Sequence, residues 1–352
     1  MRVQDQEYRP VVFSGTAREY FGVWIVNLLL SIVTLGIYSA WAKVRRLKYF
    51  HQHTEIEGRR FDYHASGKQI FIGRLIVIAA IVVLQIVTTV LPPLGILLWL
   101  GVLIYVPTLI NKAFRFRARM TSWSGLRFDF EGSYWGALRT LILYPVLSLF
   151  TLYLTLPFVI RAQHSYTTNN HRFGTAKFHF ESPISPFYKA FVFAVLWMAV
   201  IGGVGLWAIG AGDVFTSLAM ETAEPTPEMM IRFGLIYVVA LVAIVPMAFI
   251  YQAFLRNAVF AGTELEGGHK FRSTISPAGL LWVAFSNAFL VVISLGLLTP
   301  LAHIRMTRYL AANTFVAPNG SLDDFIGGEV QKTSAIGDAY VDIEGIDLGM
   351  AI

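Results

Sequence analysis

Trp24 to Phe50 reads WIVNLLLSIVTLGIYSAWAKVRRLKYF, an apolar run with one amide, Asn27, a small flexible step at Thr34-Leu35-Gly36, and a basic-aromatic exit. Ala284 to Leu310 reads AFSNAFLVVISLGLLTPLAHIRMTRYL and repeats the design 260 residues later. Asn27 matches Asn287, Gly36 matches Gly296, Arg45 matches Arg305 and Tyr49 matches Tyr309 without a gap. Two apolar segments match easily at Leu and Ala, so the shared polar and glycine positions carry the argument. They predict an internal repeat in a polytopic membrane protein.

Composition agrees. Of 352 residues, 55% are hydrophobic and only 14% charged, against about a quarter charged in soluble domains. The 27 Phe, 15 Tyr and 8 Trp suit a chain with rings at membrane–water interfaces. The absence of cysteine excludes disulfides, thiolate metal sites and thiol nucleophiles. The net charge of +6 lies beside the ends of apolar runs, as in the positive-inside pattern. It predicts contact with anionic lipid headgroups and argues against nucleic acid, because strings such as Arg115-Phe116-Arg117 abut hydrophobic spans.

The predicted organisation is a polar N-terminal segment (1–19), a transmembrane domain (20–310) and an acidic, Gly-rich tail (311–352). The predicted fold class is all-α, with about seven transmembrane helices near 20–41, 70–90, 94–111, 136–160, 187–210, 233–255 and 279–302. Between them lie short β-hairpin-like polar inserts, marked by Arg60-Phe61, Arg127-Phe128, Arg172-Phe173 and Lys270-Phe271. An extended segment is expected around Val11-Val12-Phe13. For seven simple crossings the inside loops hold 16 Lys and Arg and the outside loops 9, predicting N-terminus outside and C-terminus in the cytoplasm. That arrangement puts the acidic 211–231 loop inside and two basic inserts outside. A re-entrant fourth segment, with Pro145 and Pro157, would instead place all four inserts on one face.

The stretch FSGTAREYFGVWIVNLLLSIVTLGIYSAWAKVRRLKYF, the inserts, and TISPAGLLWVAFSNAFLVVISLGLLTPLAHIRMTRYL together resemble the YjgN-like family of bacterial inner-membrane proteins. The resemblance runs from about residue 10 to the tail. It implies a multi-pass protein of the cytoplasmic membrane, and it carries no catalytic or binding residues because the family has no known function.

The reading assigns no catalytic, cofactor or metal residue, and the protein is not expected to be an enzyme. His51, His53 and His64, or His164, His171 and His179, lack the i,i+4 spacing of a helical metal motif. Asp129 and Glu131 alternate on a strand without a partner nucleophile or phosphate loop. Asn27, Gln85, Asn257 and Asn287 are amides that pair helices or, for Asn27 and Asn287, line a solute path hinged at Gly36 and Gly296. Lys43, Arg45, Arg46, Lys48, Arg305 and Arg308 are candidate headgroup or topology anchors. Two functions remain open: solute or lipid transport through a pseudo-symmetric bundle, and a non-transporting scaffold that binds a partner through its inserts or tail.

Overall fold

The computed structural model describes residues 7–219 and 226–334. Its organising element is one antiparallel sheet of eleven strands. The four polar inserts fold as hairpins: β3 (Thr54–Ile56) with β4 (Arg59–Tyr63), β5 (Thr121–Trp123) with β6 (Leu126–Phe130), β7 (His171–Phe173) with β8 (Ala176–Phe180), and β9 (Thr263–Leu265) with β10 (His269–Ser273). The first turns on Glu57-Gly58, both at positive φ (+50° and +73°), the geometry that suits strand twist in a two-residue turn. Each hairpin pairs with the next along the chain, and β11 (Thr314–Ala317) pairs with β10. The N-terminal segment closes the circuit. Its β1 half (Arg9–Pro10) pairs with β11 and its β2 half (Val12–Phe13) pairs with β3.

Side chains alternate along these strands. Arg60, Arg127, Lys177 and Lys270 are exposed, while the following Phe61, Phe128, Phe178 and Phe271 pack toward the interior. Phe128 touches Phe61, Phe173 and Phe178 at centroid distances of 6.5, 5.1 and 6.4 Å. The equivalent marker in the third hairpin is therefore Lys177-Phe178, one strand later than Arg172-Phe173.

Two segments between hairpins are long helical excursions. One is α3 (Gly67–Val90) followed by α4 (Pro92–Arg119). The other runs from α8 (Ser185–Trp197) through a π-turn (Met198–Gly202) and α9 (Gly203–Ala208) to α10 (Ala211–Ala219), then returns as α11 (Pro227–Ala261). They supply four helices long and apolar enough to cross a membrane: Gly67–Val90, Pro92–Arg119, Ser185–Ala208 and Pro227–Ala261.

The remaining predicted spans, 20–41, 136–160 and 279–302, are not single crossings. Each is a helix, a tight reversal and a second helix: α1 (Ala17–Val33) and α2 (Ser39–Gln52); α5 (Tyr134–Ala137), a π-turn (Leu138–Leu143) and α6 (Tyr144–Leu149), then α7 (Leu156–Asn169); α12 (Pro277–Ile293) and α13 (Thr299–Ala312). The expectation of an all-α protein with about seven transmembrane helices is thus corrected to four candidate spans, three short helical hairpins and a closed β-ring. The physical cause is local. Leu35 and Gly36 (φ +49° and +88°), Leu152 and Tyr153 (+48° and +62°), and Leu295 and Gly296 (+50° and +90°) are all left-handed. Each pair ends its helix with a bond from the second residue to the carbonyl five back: Gly36 to Ser31 (2.7 Å), Tyr153 to Ser148 (2.9 Å) and Gly296 to Val291 (2.8 Å). Because every hairpin joins one sheet, all four share one face, and so do residues 9–13 and 314–317. The split into N-terminus outside and C-terminus inside does not fit that arrangement.

The start of the acidic tail is ordered. A helix over 322–334 packs Leu322, Phe325 and Ile326 against the ring core of Ile56, Trp123, Phe173 and Leu265. Asp323 pairs with Arg59. Glu329, 2% exposed, accepts from the backbone N–H and hydroxyl of Thr175 (both 2.7 Å) and the N–H of Ala176 (3.0 Å). Its other oxygen accepts from Lys332 (2.8 Å). The acidic residues from Asp338 onward, and Glu221 and Glu224, lie outside the described residues.

Burial works to raise the Glu329 carboxyl, but Lys332 and Thr175 outweigh it and hold the group below the ordinary carboxylate range. The docking it contributes is complete above that range and is lost as pH falls through the lowered value. Glu329→Ala leaves the N–H groups of half-buried Thr175 and buried Ala176 unpaired and is expected to cost about 2 kcal/mol of docking, read as faster amide exchange at Thr175 and Ala176. Single cysteines at Arg60, Arg127, Lys177 and Lys270 in this cysteine-free chain should all label from one side of the membrane. Labelling from both sides would break the single ring.

Candidate functional site

The three short hairpins share one hydrogen-bond scheme. Thr16, Ser133 and Ser276 cap the first helix by accepting from Glu19, Gly136 and Gly279. A tyrosine 33 residues later donates its hydroxyl to the carbonyl of that capping residue: Tyr49 to Thr16 (3.1 Å), Tyr166 to Ser133 (3.0 Å) and Tyr309 to Ser276 (3.2 Å). At the reversal, the hydroxyls of Thr34, Thr151 and Ser294 accept from the N–H four residues on. Backbone groups freed by the turn are thereby satisfied inside an apolar segment, a requirement in lipid. The tips are apolar and bare, with Leu35 and Leu295 each 94% exposed. The cap-to-tyrosine spacing is legible in the sequence. In the middle copy Tyr144 and Tyr153 replace the asparagine and glycine, which hid it.

Asn27 and Asn287 are each 7% exposed within their hairpins. Asn287 donates to the Ala302 carbonyl of the returning helix (3.0 Å). The Oδ1 atoms of both asparagines are buried without a partner. A Cβ at Gly36 or Gly296 would meet open space, so these glycines serve the turn and hinge nothing packed. Asn257 bridges to the N–H and carbonyl of Ile275, and Gln85 is exposed on α3.

Between the two helices of the first hairpin and α3 lies an open pocket of about 350 Å³, whose cations Lys43, Arg46 and Arg74 are exposed. Lys43 and Arg46 reach it from α2, Arg74 from α3, and Asn27, Ser31 and Ser39 complete its polar wall. Arg74 donates to Ser39 Oγ (2.6 Å). Among the described residues no carboxylate pairs with Lys43, Arg46 or Arg74. Burial, and then Arg117, Arg74 and Arg46 nearby, push the Lys43 amine below its ordinary value. The structure thus brings Asn27, Lys43 and Arg46 together and adds Arg74, which sequence reading left within a span.

The other anchors are elsewhere. Arg45 lies over the Tyr38 ring (5.8 Å) and Lys48 is exposed. Arg305 donates to Ser286 (3.0 Å) and Arg308 to the Gly15 carbonyl (3.0 Å). The positions matching Lys43 and Arg46 are His303 and Met306, so the α12–α13 hairpin does not reproduce the cationic cavity. Asp129 accepts from Nε and Nη2 of Arg119 (2.9 and 3.0 Å), and Glu131 pairs with Arg172. His51, His53 and His171 bond the carbonyls four residues back.

The family described as "Bacterial protein of unknown function (DUF898)" matches residues 8–343. The chain belongs to this family. The DUF898 chain is 26% identical over 365 residues to the inner membrane protein YjgN of Salmonella typhimurium, covering 91% of each. It is 27% identical over 356 residues to inner membrane protein YjgN of Escherichia coli O157:H7, covering 89% of each. No solved structure matches it significantly. The inner-membrane relatives and the four long apolar helices support an inner-membrane location.

Gly36→Ala or Gly296→Ala forces a side chain into the left-handed region and should cost about 1–2 kcal/mol. Gly22→Ala, in open space on α1, should be neutral or stabilising. Thermal unfolding of the three variants in one detergent checks the order.

Proposed function

We propose that this DUF898 protein is a non-transporting, non-catalytic inner-membrane scaffold. In this reading it binds an anionic phospholipid headgroup in the pocket between its first hairpin and α3 and presents the β-ring to the cytoplasm. The observation that carries it is the set of three cations, Lys43, Arg46 and Arg74, around about 350 Å³ with no carboxylate partner among the described residues. The cavity lies below a bare apolar tip, which suits a ligand whose chains stay in the bilayer. Each Lys or Arg near an anionic surface contributes about 1 kcal/mol, so three amount to about a hundredfold preference.

The helices favour a scaffold over a channel. In the four candidate spans at most 11% of the apolar window is buried by protein, which leaves lipid to cover them. In this reading the four candidate spans cross the membrane and the three short hairpins re-enter it, which keeps the basic inserts on a single face. Asp213 and Glu228, at the far ends of α10 and α11, then fall on the opposite side, and the positive-inside pattern supports a cytoplasmic ring.

The test is lipid retention by the full-length protein, read by native mass spectrometry. Wild type should retain phosphatidylglycerol over phosphatidylcholine, and K43Q/R46Q/R74Q should lose most of that preference, about a hundredfold. A bound phosphate favours the Lys43 cation, so affinity should fall as pH rises through its lowered titration, earlier than for an ordinary lysine. Equal retention by wild type and triple variant would sink the reading.

A further inference from the structure

The long helix α11 has 35 residues and is about 52 Å long at 1.5 Å per residue, well beyond the roughly 30 Å hydrocarbon core. Its last turns continue into the mouth of the ring, where β9 begins. Arg256 stands on those turns. It donates to Thr314 Oγ1 (3.0 Å) and stacks 4.4 Å from the Phe260 ring centre, and its Nε is buried with no partner. Among the described residues no carboxylate pairs with it. A part-desolvated guanidinium without a counter-charge is costly, and an anion at this point would remove the cost.

The space around Arg256 is graded in polarity. On the ring side, Arg256, Phe260 and Leu310 border a chamber of about 320 Å³ that reaches Thr54 and Phe271. The same three residues, with Gln252 and His164, border a second chamber of about 470 Å³. Gln252 also lines a third, of about 650 Å³, walled by Phe191, Val195, Met198 and Met247. One wall of this cleft begins the π-turn Met198–Gly202; such bulges recur at functional sites. The only polar groups in its lining are Gln252 and Tyr251, whose hydroxyl is buried and unpartnered. Along α11 the lining passes from Met247 and Tyr251 in the third chamber, through Gln252, which it shares with the second, to Arg256 and Phe260, winding about half-way round the helix over about 20 Å, comparable to a long acyl chain.

We propose that Arg256 and the cleft between α8 and α11 form a binding site for an anionic amphiphile, with its carboxylate or phosphate at Arg256 and one acyl chain in the cleft. A soluble anion would leave the apolar cleft unused, and a neutral lipid would leave Arg256 uncompensated. The site shares no residue with the Lys43, Arg46 and Arg74 cavity and stands independently of it.

The probes are palmitate, hexadecyl phosphate, hexadecanol, phosphatidylglycerol and inorganic phosphate, titrated into the full chain in a nonionic detergent. With the first-hairpin site disabled by K43Q/R46Q/R74Q, palmitate and hexadecyl phosphate should bind one per chain. Arg256→Gln should weaken both at least tenfold and leave hexadecanol unchanged, while Arg256→Lys retains most of the affinity. Ala248→Trp, which fills the cleft, should weaken all three single-chain probes, and Arg127→Gln, an exposed ring position, none. Stronger binding of phosphatidylglycerol than of palmitate assigns the occupant to the bilayer; the reverse assigns it to free fatty acids. Unchanged anion binding in Arg256→Gln overturns the proposal. So does full competition by inorganic phosphate with no effect of Ala248→Trp. If Arg256→Gln does not fold, the Ala248→Trp titration decides alone.

Discussion

The double pairing of residues 9–13 is the constraint on which the rest depends. A strand pair leaves a row of unpaired N–H and C=O groups on each edge, and an isolated hairpin is marginal in water. Four such hairpins become one stable wall because the N-terminal segment is hydrogen-bonded to β11 along one half and to β3 along the other. The helices follow the same circuit. Each packs on the next around the axis, and α13 returns to α1. Tyr20 of α1 and His303 of α13 meet at that seam, oxygen to Nδ1 at 3.4 Å.

The membrane face obeys a different rule. There the backbone must be satisfied within the chain, and the short hairpins achieve this with a few hydroxyls. Cap, tyrosine and turn residue recur at fixed spacing in all three copies. The aromatic interior of the ring then fills the space below with Phe61, Phe128, Phe178 and Phe271, and the 322–334 helix closes the far end with Phe325 and Ile326.

Much of this was legible in the sequence. The four polar inserts read as hairpins because Phe alternates with charge on either side of a Gly-containing turn. Four of the predicted spans coincide with long apolar helices, because runs of 18 or more apolar residues stand out. What misled was length. Residues 20–41 and 279–302 have the span of a crossing, and only the Leu-Gly pair at 35–36 and 295–296 reveals that the chain reverses midway. Tyr153 carries no such signal, since a left-handed tyrosine is set by tertiary context. The joining of the hairpins into one sheet was equally hidden, because Arg9 and Val316 pair across nearly the whole chain. At the candidate site, Lys43 and Arg46 stood out as a basic cluster; Arg74 and Arg256 did not, because single arginines at helix ends look like topology markers.

Closure by the first and last strands also orders events in time. The ribosome delivers residues 9–13 early and 314–317 near the end, so β1 must wait through the insertion of every helix for its partner. A fold whose final seam joins such distant residues is slow to complete, and an incomplete ring exposes strand edges that can pair with another chain. The late arrival of the 322–334 helix, which touches hairpin turns from the first, third and fourth inserts, makes it the piece that registers a finished ring.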